Sequence, residues 1–362
     1  MKTVKSQFSK LLRFLLLILL VFGFATPVSA GGPQFATGAV PGSMIVFPKF
    51  TRGTVIVDGV EAPATEIAVR VVCPMNTTCA EGQQMRVRAE WVCPGSATNP
   101  VCAGRAFEFD VVINGTVAFD PENIALPGSD PLPVLVPPCQ RGYLIAYAID
   151  GDGRPIKWPG LGGVAVLRES GSAITGYTAS LIAADPNLAI GALISLGPDD
   201  ALVFDGAPGH YTQLNSMVEA PIEFTRSTSL APLGGFPSTS IILLTLDVRS
   251  NGPNGPTTVP LNFFDGDGQR RSTSTNFVCW SEQRLDDIDA NLTFEAMGTR
   301  WGYLSSGQAQ QVSSSGTVDI TVPATLLGLA ETIEGPVPGA AARAGVYALS
   351  PIPPLVSTTF VP

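Results

Sequence analysis

Met85-Arg86-Val87-Arg88-Ala89-Glu90-Trp91, residues 85–91, alternates apolar and charged side chains without a break. Successive side chains of an extended chain point to opposite sides. The stretch therefore predicts a strand with Met85, Val87, Ala89 and Trp91 in a core and Arg86, Arg88 and Glu90 facing away. The same period returns at 107–111, where Phe107, Phe109 and Val111 alternate with Glu108 and Asp110, and at 317–322, where Val318, Ile320 and Val322 alternate with Thr317, Asp319 and Thr321. Two other runs, Tyr143 to Ile149 and Ile241 to Leu246, are apolar almost throughout and predict strands covered on both faces. Further strands are expected at 43–50, 53–58, 65–73, 162–168, 173–182, 188–195, 257–264, 275–281, 291–296 and 343–349. Helical signal is thin: a short helix is expected from Ala324 to Ile333 and a turn or two over 212–218.

Many short strands separated by turns predict an all-β protein, a β-sandwich or jelly roll, built as one large unit or two packed units. Composition agrees. The chain of 362 residues holds 38 Gly and 32 Pro, and only 14% of its residues are charged, against about 25% in typical soluble domains. Hydrophobic residues make up 45%, enough for a core. Pro121 to Pro138, with six prolines, and Ala231 to Pro237 read as linkers. They suggest a β-rich N-terminal domain over 31–235 and a β-rich C-terminal domain over 236–362.

Residues 1–30 read as a secretory signal peptide. Lys2, Lys5, Lys10 and Arg13 precede an apolar run from Phe14 to Phe22, and Val28-Ser29-Ala30 supplies a small-residue cleavage site. The mature chain is expected to begin near Gly31, in the periplasm, at the cell surface or outside the cell. Without the four basic residues of the leader, 17 basic residues stand against 30 acidic ones, a net charge of −13. A surface of that sign repels phosphate backbones and argues against a nucleic-acid partner.

The six cysteines, Cys73, Cys79, Cys93, Cys102, Cys139 and Cys279, are even in number, which in an exported chain predicts three disulfides. Of the 15 connectivities that six cysteines allow, the one expected is Cys73–Cys79 and Cys93–Cys102 as local clips with Cys139–Cys279 as a long-range staple. Zinc is disfavoured, because there is no Cys-x-x-Cys pair and only one histidine.

Several stretches resemble a family of uncharacterised exported bacterial proteins. They are Gly42 to Phe50, GYLIAYAIDGDGRPIKWPGLGGVAVLR at 142–168, DGAPGHY at 205–211, LLTLDVRSNGPNGPTTVPLNFFD at 243–265 and CWSEQRLDDIDANLTFEAMG at 279–298. The resemblance implies an exported, largely β protein. No activity is established for that family, so no catalytic residue or cofactor comes with it.

Two Asp-Gly-Asp-Gly runs, at Asp150, Asp152 and at Asp265, Asp267, carry alternating carboxylates of the kind that wrap calcium, though neither loop has the Glu an EF-hand needs at its end. The preferred reading is hairpin chemistry, since Asp-Gly after an apolar strand favours a tight turn. Asp286-Asp287-Ile288-Asp289, if extended, would set Asp287 and Asp289 on one face; a solvated loop is the preferred reading over a glycosidase pair. His210 lacks a Gly-x-Ser-x-Gly nucleophile elbow and reads as a locally bonded loop histidine. Among aromatics near turns (Trp158, Tyr177, Tyr211, Trp301 and Tyr303), Trp158 in Lys157-Trp158-Pro159-Gly160 is the leading candidate for stacking on a sugar, with Tyr177 and Tyr211 beside it. The function expected is a non-enzymatic structural or adhesive β protein whose partners are envelope components or glycans. The alternative is a carbohydrate-binding or carbohydrate-cleaving module.

Overall fold

The stretch 85–91 lies inside a nine-residue strand whose neighbours on both sides are also strands. The computed structural model describes residues 42–57, 59–122, 126, 136–169, 173–226, 237–249, 253–314, 319–334 and 343–362. The expected signal peptide, the expected boundary near residue 235 and most of the stretch Pro121 to Pro138 lie outside them.

The first half begins with β1 (Met44–Thr51), β2 (Thr54–Val57), β3 (Val60–Pro63), β4 (Thr65–Val71), β5 (Gln84–Val92), β6 (Gly104–Val112) and β7 (Thr116–Phe119). It continues with β8 (Arg141–Ile149), β9 (Leu161–Glu169), β10 (Ala173–Thr178), β11 (Ser180–Ile182) and β12 (Leu202–Phe204). The second half begins with β13 (Leu214–Glu223), β14 (Pro237–Leu244), β15 (Val248–Arg249), β16 (Thr257–Phe264), β17 (Arg270–Phe277) and β18 (Trp280–Arg284). Two single-turn helices follow, α1 (Leu285–Ile288) and α2 (Phe294–Met297). The chain ends with β19 (Trp301–Ser306), β20 (Gln310–Ser314), β21 (Asp319–Pro323), β22 (Leu327–Glu334), β23 (Arg343–Ala348), β24 (Ser350–Val356) and β25 (Thr358–Val361).

Four antiparallel sheets carry the structure: β10-β9-β4-β7, β11-β1-β8-β5-β6, β18-β14-β22-β23, and a seven-stranded sheet ordered β21-β20-β16-β19-β13-β24 with β17 also on β16. Two hydrophobic cores explain their arrangement. The larger gathers Ile67, Val69 and Leu167 from the first sheet, Phe47, Trp91 and Tyr143 from the second, and Ile242, Leu244, Trp280 and Leu329 from the third. The smaller joins Ile241, Leu243 and Ala330 of the third sheet to Val218, Ala220, Leu261, Phe263 and Leu304 of the seven-stranded one. Alternate residues of β14 thus enter different cores, which is why Ile241 to Leu244 is apolar without a break. The sandwich expected from the sequence is present, extended to stacked layers, and residues 38–362 form one compact unit.

Close approach of layers requires glycine at Gly163. A Cβ there would lie 2.3 Å from the Phe47 ring, well inside van der Waals contact, so the ring fills the place of the missing side chain.

Four local expectations are corrected. Residues 324–333 and 212–218 are not helical: most of the first span is β22, paired along its whole length with β14, and the second enters β13 between β19 and β24. Residues 291–296 are not a strand, because the Thr293 hydroxyl accepts the Ala296 N–H and caps α2, which Gly298 ends at φ 69°. Residues 188–195 form turns, held by Lys157, whose Nζ donates to the carbonyls of Asp185, Pro186 and Leu188 at 2.7–2.8 Å.

The cysteines close three disulfides, but only Cys73–Cys79 has the expected partners. The others are Cys93–Cys139 and Cys102–Cys279. β5 and β6 pair with Val92 opposite Gly104, so Cys93 falls opposite Ala103; the one-residue offset turns Cys93 and Cys102 to opposite faces, where each meets a more distant partner. Cys102–Cys279 spans 177 residues and ties the first half to the second.

A buried ionic cluster sits at the same joint. One extra residue at Pro48–Lys49 breaks the register of β1 against β8, and such a bulge re-aims the side chains around it. Lys49, 1% exposed, meets Glu331 of β22 and Glu282 of β18, the latter at 2.8 Å. Glu282 also takes Arg141 at 2.8 Å. The bulge backbone is satisfied by Trp280, whose Nε1 donates to the Pro48 carbonyl at 2.8 Å, and by Tyr177, whose hydroxyl donates to the Lys49 carbonyl. Burial alone would pull the Lys49 ammonium down, but Glu331 and Glu282 outweigh it and hold its pKa above the ordinary lysine value.

Two further strands are distinctive. Asp247 accepts the Thr325 N–H at 2.8 Å and the Thr358 hydroxyl, pinning β25, and burial raises its carboxyl above the usual carboxylate range. β24, at the margin of the seven-stranded sheet, carries Pro351, Pro353 and Pro354, which have no N–H to offer.

Candidate functional site

The aromatics favoured by the sequence are interior. Trp158 is 7% exposed, and its Nε1 donates to the Val72 carbonyl at 3.1 Å. Tyr177 is bonded to the backbone of Lys49, and Tyr211 stacks on Phe204 with ring centres 5.2 Å apart. Burial pushes the Tyr177 and Tyr211 phenols up, as expected for groups held away from water. None of the three presents a free ring face, which corrects the expectation that Trp158 is exposed.

Both Asp-Gly runs form the preferred turns. Asp150 Oδ1 accepts the N–H groups of Asp152 and Arg154 at 2.9 Å, Arg154 pairs with both aspartates, and Gly153 takes φ 80°. The Arg154 and Asp152 N–H bonds, with the Arg154 charge, hold the Asp150 carboxyl below its ordinary range. Asp265 Oδ1 likewise accepts the N–H groups of Asp267 and Gln269, with Gly268 at φ 77°. In each run the first carboxylate, Asp150 or Asp265, is turned onto its own loop. Among the described residues no three His, Cys, Asp or Glu side chains gather to hold a metal. His210 is a loop residue, its Nδ1 2.8 Å from Asp205 Oδ1. Asp286 and Asp287 lie in α1 and not on a strand, and Asp286 is clamped by Arg284.

Trp301 and Tyr303, the remaining aromatics of that sequence group, stand on the open face of the seven-stranded sheet. They alternate with Gly302 and Leu304 on β19, so both rings point outward, 54% and 38% exposed. Gly302 is required beneath them, since a Cβ there would lie 2.4 Å from the Phe224 ring. Pro221 and Glu223 of β13 lie directly opposite Tyr303 and Trp301, and Phe264 of β16 flanks Tyr303 on the other side. Arg300 is held by Glu223 at 2.7 Å, with its guanidinium carbon 5.6 Å from the Trp301 ring centre. The Tyr303 hydroxyl donates to Glu219. Its phenol is pushed up to about 12 by lost solvation, by that hydrogen bond and by the Glu219 charge.

Neutral side chains continue the face. On β16 and β17, Ser272 donates to Asn262 at 2.9 Å and Thr258 donates to Asn276 at 2.6 Å. Leu355 of β24 is exposed at the far margin. The carboxylates of β13 on this face, Glu219 and Glu223, are four residues apart on one strand, about 13 Å at ordinary strand rise, and a third, Glu334 of β22, shares Arg300 with Glu223. Glycosidase pairs stand ~5–9.5 Å apart, so Glu219 and Glu223 do not make one.

Fold and site define a disulfide-bridged, all-β protein with one open aromatic sheet face and a sealed ionic cluster between layers. No protein-family model matches the chain, and no curated protein matches it. No helix among the described residues is long and apolar enough to cross a membrane.

Proposed function

We propose that this is an exported, non-enzymatic β protein with a structural or adhesive role at the cell envelope or outside the cell. The observation that carries the reading is Cys102–Cys279, buried and closing the two halves of the chain on each other. Such a bond persists where thiols are oxidised. Fractionation of the native host tests it. The expected result is recovery from the envelope or medium, with residues 1–30 removed and no titratable thiol. Recovery from cytosol with free thiols would overturn it.

A second reading, carbohydrate binding, is favoured by Trp301 and Tyr303. Two outward rings about 6.6 Å apart along a strand, beside the polar groups of Glu219, Glu223 and Arg300 and with the neutral pairs of β16 and β17 further along the face, suit the apolar faces and hydroxyls of sugar rings. On a glycan array the protein is expected to retain one glycan class, with Trp301→Ala lowering affinity at least about tenfold. An array without signal would remove this reading and leave the first standing.

A further inference from the structure

We propose that Lys49 and Glu331 are joined by an intramolecular amide bond that the folded chain forms by itself, with Glu282 as the proton carrier. The inference is independent of the protein's location and of any ligand.

The arrangement has the parts this reaction needs. Amine and carboxyl are both 1% exposed and in hydrogen-bond contact. A second carboxylate, Glu282, is 2.8 Å from the same nitrogen. The three side chains come from β1, β18 and β22, so they meet only once the chain has folded. Tyr177 and Trp280 fix the backbone of the bulge that carries Lys49, which holds the amine in place. Groups so positioned react at effective concentrations far above any in free solution.

The reaction balances within the cluster. One ammonium proton crosses to the Glu331 carboxylate, leaving a neutral amine against a neutral acid. This transfer is internal, so the raised affinity of Lys49 for protons against solvent does not oppose it. The nitrogen attacks Cδ of Glu331, forming the N–C bond and placing the carbonyl electrons on oxygen. Glu282 removes a proton from the now cationic nitrogen and delivers it to the hydroxyl. The C–O bond breaks, water leaves and the carbonyl re-forms. Glu282 ends as it began.

Charge supplies the driving force. Before reaction, Lys49 and Arg141 balance Glu331 and Glu282. After it, Arg141 still balances Glu282 at 2.8 Å, and the two most deeply buried charges have been replaced by a neutral amide. Removing buried ions relieves their desolvation cost, and the water released goes to bulk.

The test is the mass of the purified, reduced protein. It is expected to be lighter than its sequence by one water, with a branched peptide on digestion joining the Lys49 segment to the Glu331 segment. Such a bond closes a loop spanning 282 residues, so the boiled, reduced protein should run faster on a denaturing gel than Lys49→Arg. Glu282→Gln is expected to carry the full mass. A wild-type mass equal to the sequence would overturn the proposal whatever the variants do. So would a missing water mapped to another site, such as Asp150-Gly151.

Discussion

With Cys102 and Cys279 both replaced by serine, the protein is expected to melt on the order of 10 °C lower than the parent. The bridge spans 177 residues. In the chain-entropy model a loop of that length restrains the unfolded chain by about 5 kcal/mol. Cys73–Cys79, with a separation of 6, closes a short surface loop, and its removal should cost far less. Replacing both cysteines avoids leaving a buried thiol beside its former partner. Thermal unfolding followed by circular dichroism checks the result. Equal melting temperatures for the two variants would show that the long bridge does not hold the halves together.

The second large effect is expected from Lys49→Met. Its side chain is of similar length, so packing changes little, but Glu331 and Glu282 are left facing each other in the interior. Removing one partner of a buried ion pair typically costs about 3–5 kcal/mol. Arg141→Ala, at the half-exposed rim of the same cluster, is expected to cost no more than about 1 kcal/mol. Adding Glu331→Leu to Lys49→Met should recover a large part of the loss, because the site is then apolar on both sides. Urea denaturation midpoints of the three variants test this. A rim variant as damaging as the buried one would mean that burial of the charge is not what matters. The cost is expected whether the contact is ionic or covalent, since either form is lost with the amine; the recovery by Glu331→Leu is the part due to the unpaired carboxylate, and a lost cross-link is not restored by it.

The strands that could be read from sequence were those whose surroundings impose a pattern on their own residues. β5 and β6 alternate because each has one face in the aromatic core of Trp91, Phe107 and Phe109. The second half of β14, Ile241 to Leu244, is apolar throughout because successive residues enter different cores. The misread segments depend on remote partners. Leu327–Glu334 has residues that suit a helix, and pairing with β14 on one side and β23 on the other makes it a strand.

The disulfide pattern was hidden for the same reason: which cysteines meet depends on how sheets stack. Trp158 was misjudged because Lys-Trp-Pro-Gly looks like a loop tip, whereas the Val72 carbonyl gives its indole an interior partner. The buried cluster left one visible trace, a lysine within the otherwise apolar run Met44 to Phe50. Nothing local identifies Glu282 and Glu331 as its partners. Trp301 and Tyr303 were visible as aromatics near turns, but their outward direction depends on Gly302 making room for Phe224.

The prolines of β24 bear on how copies of this protein can associate. An open sheet margin normally invites a neighbouring chain to dock by backbone hydrogen bonding, the route by which many β proteins polymerise or aggregate. Pro351, Pro353 and Pro354 remove donors from that margin. End-to-end growth of fibres through this border is therefore disfavoured, and a molecule crowded among its own kind can stay discrete while its broad face remains open.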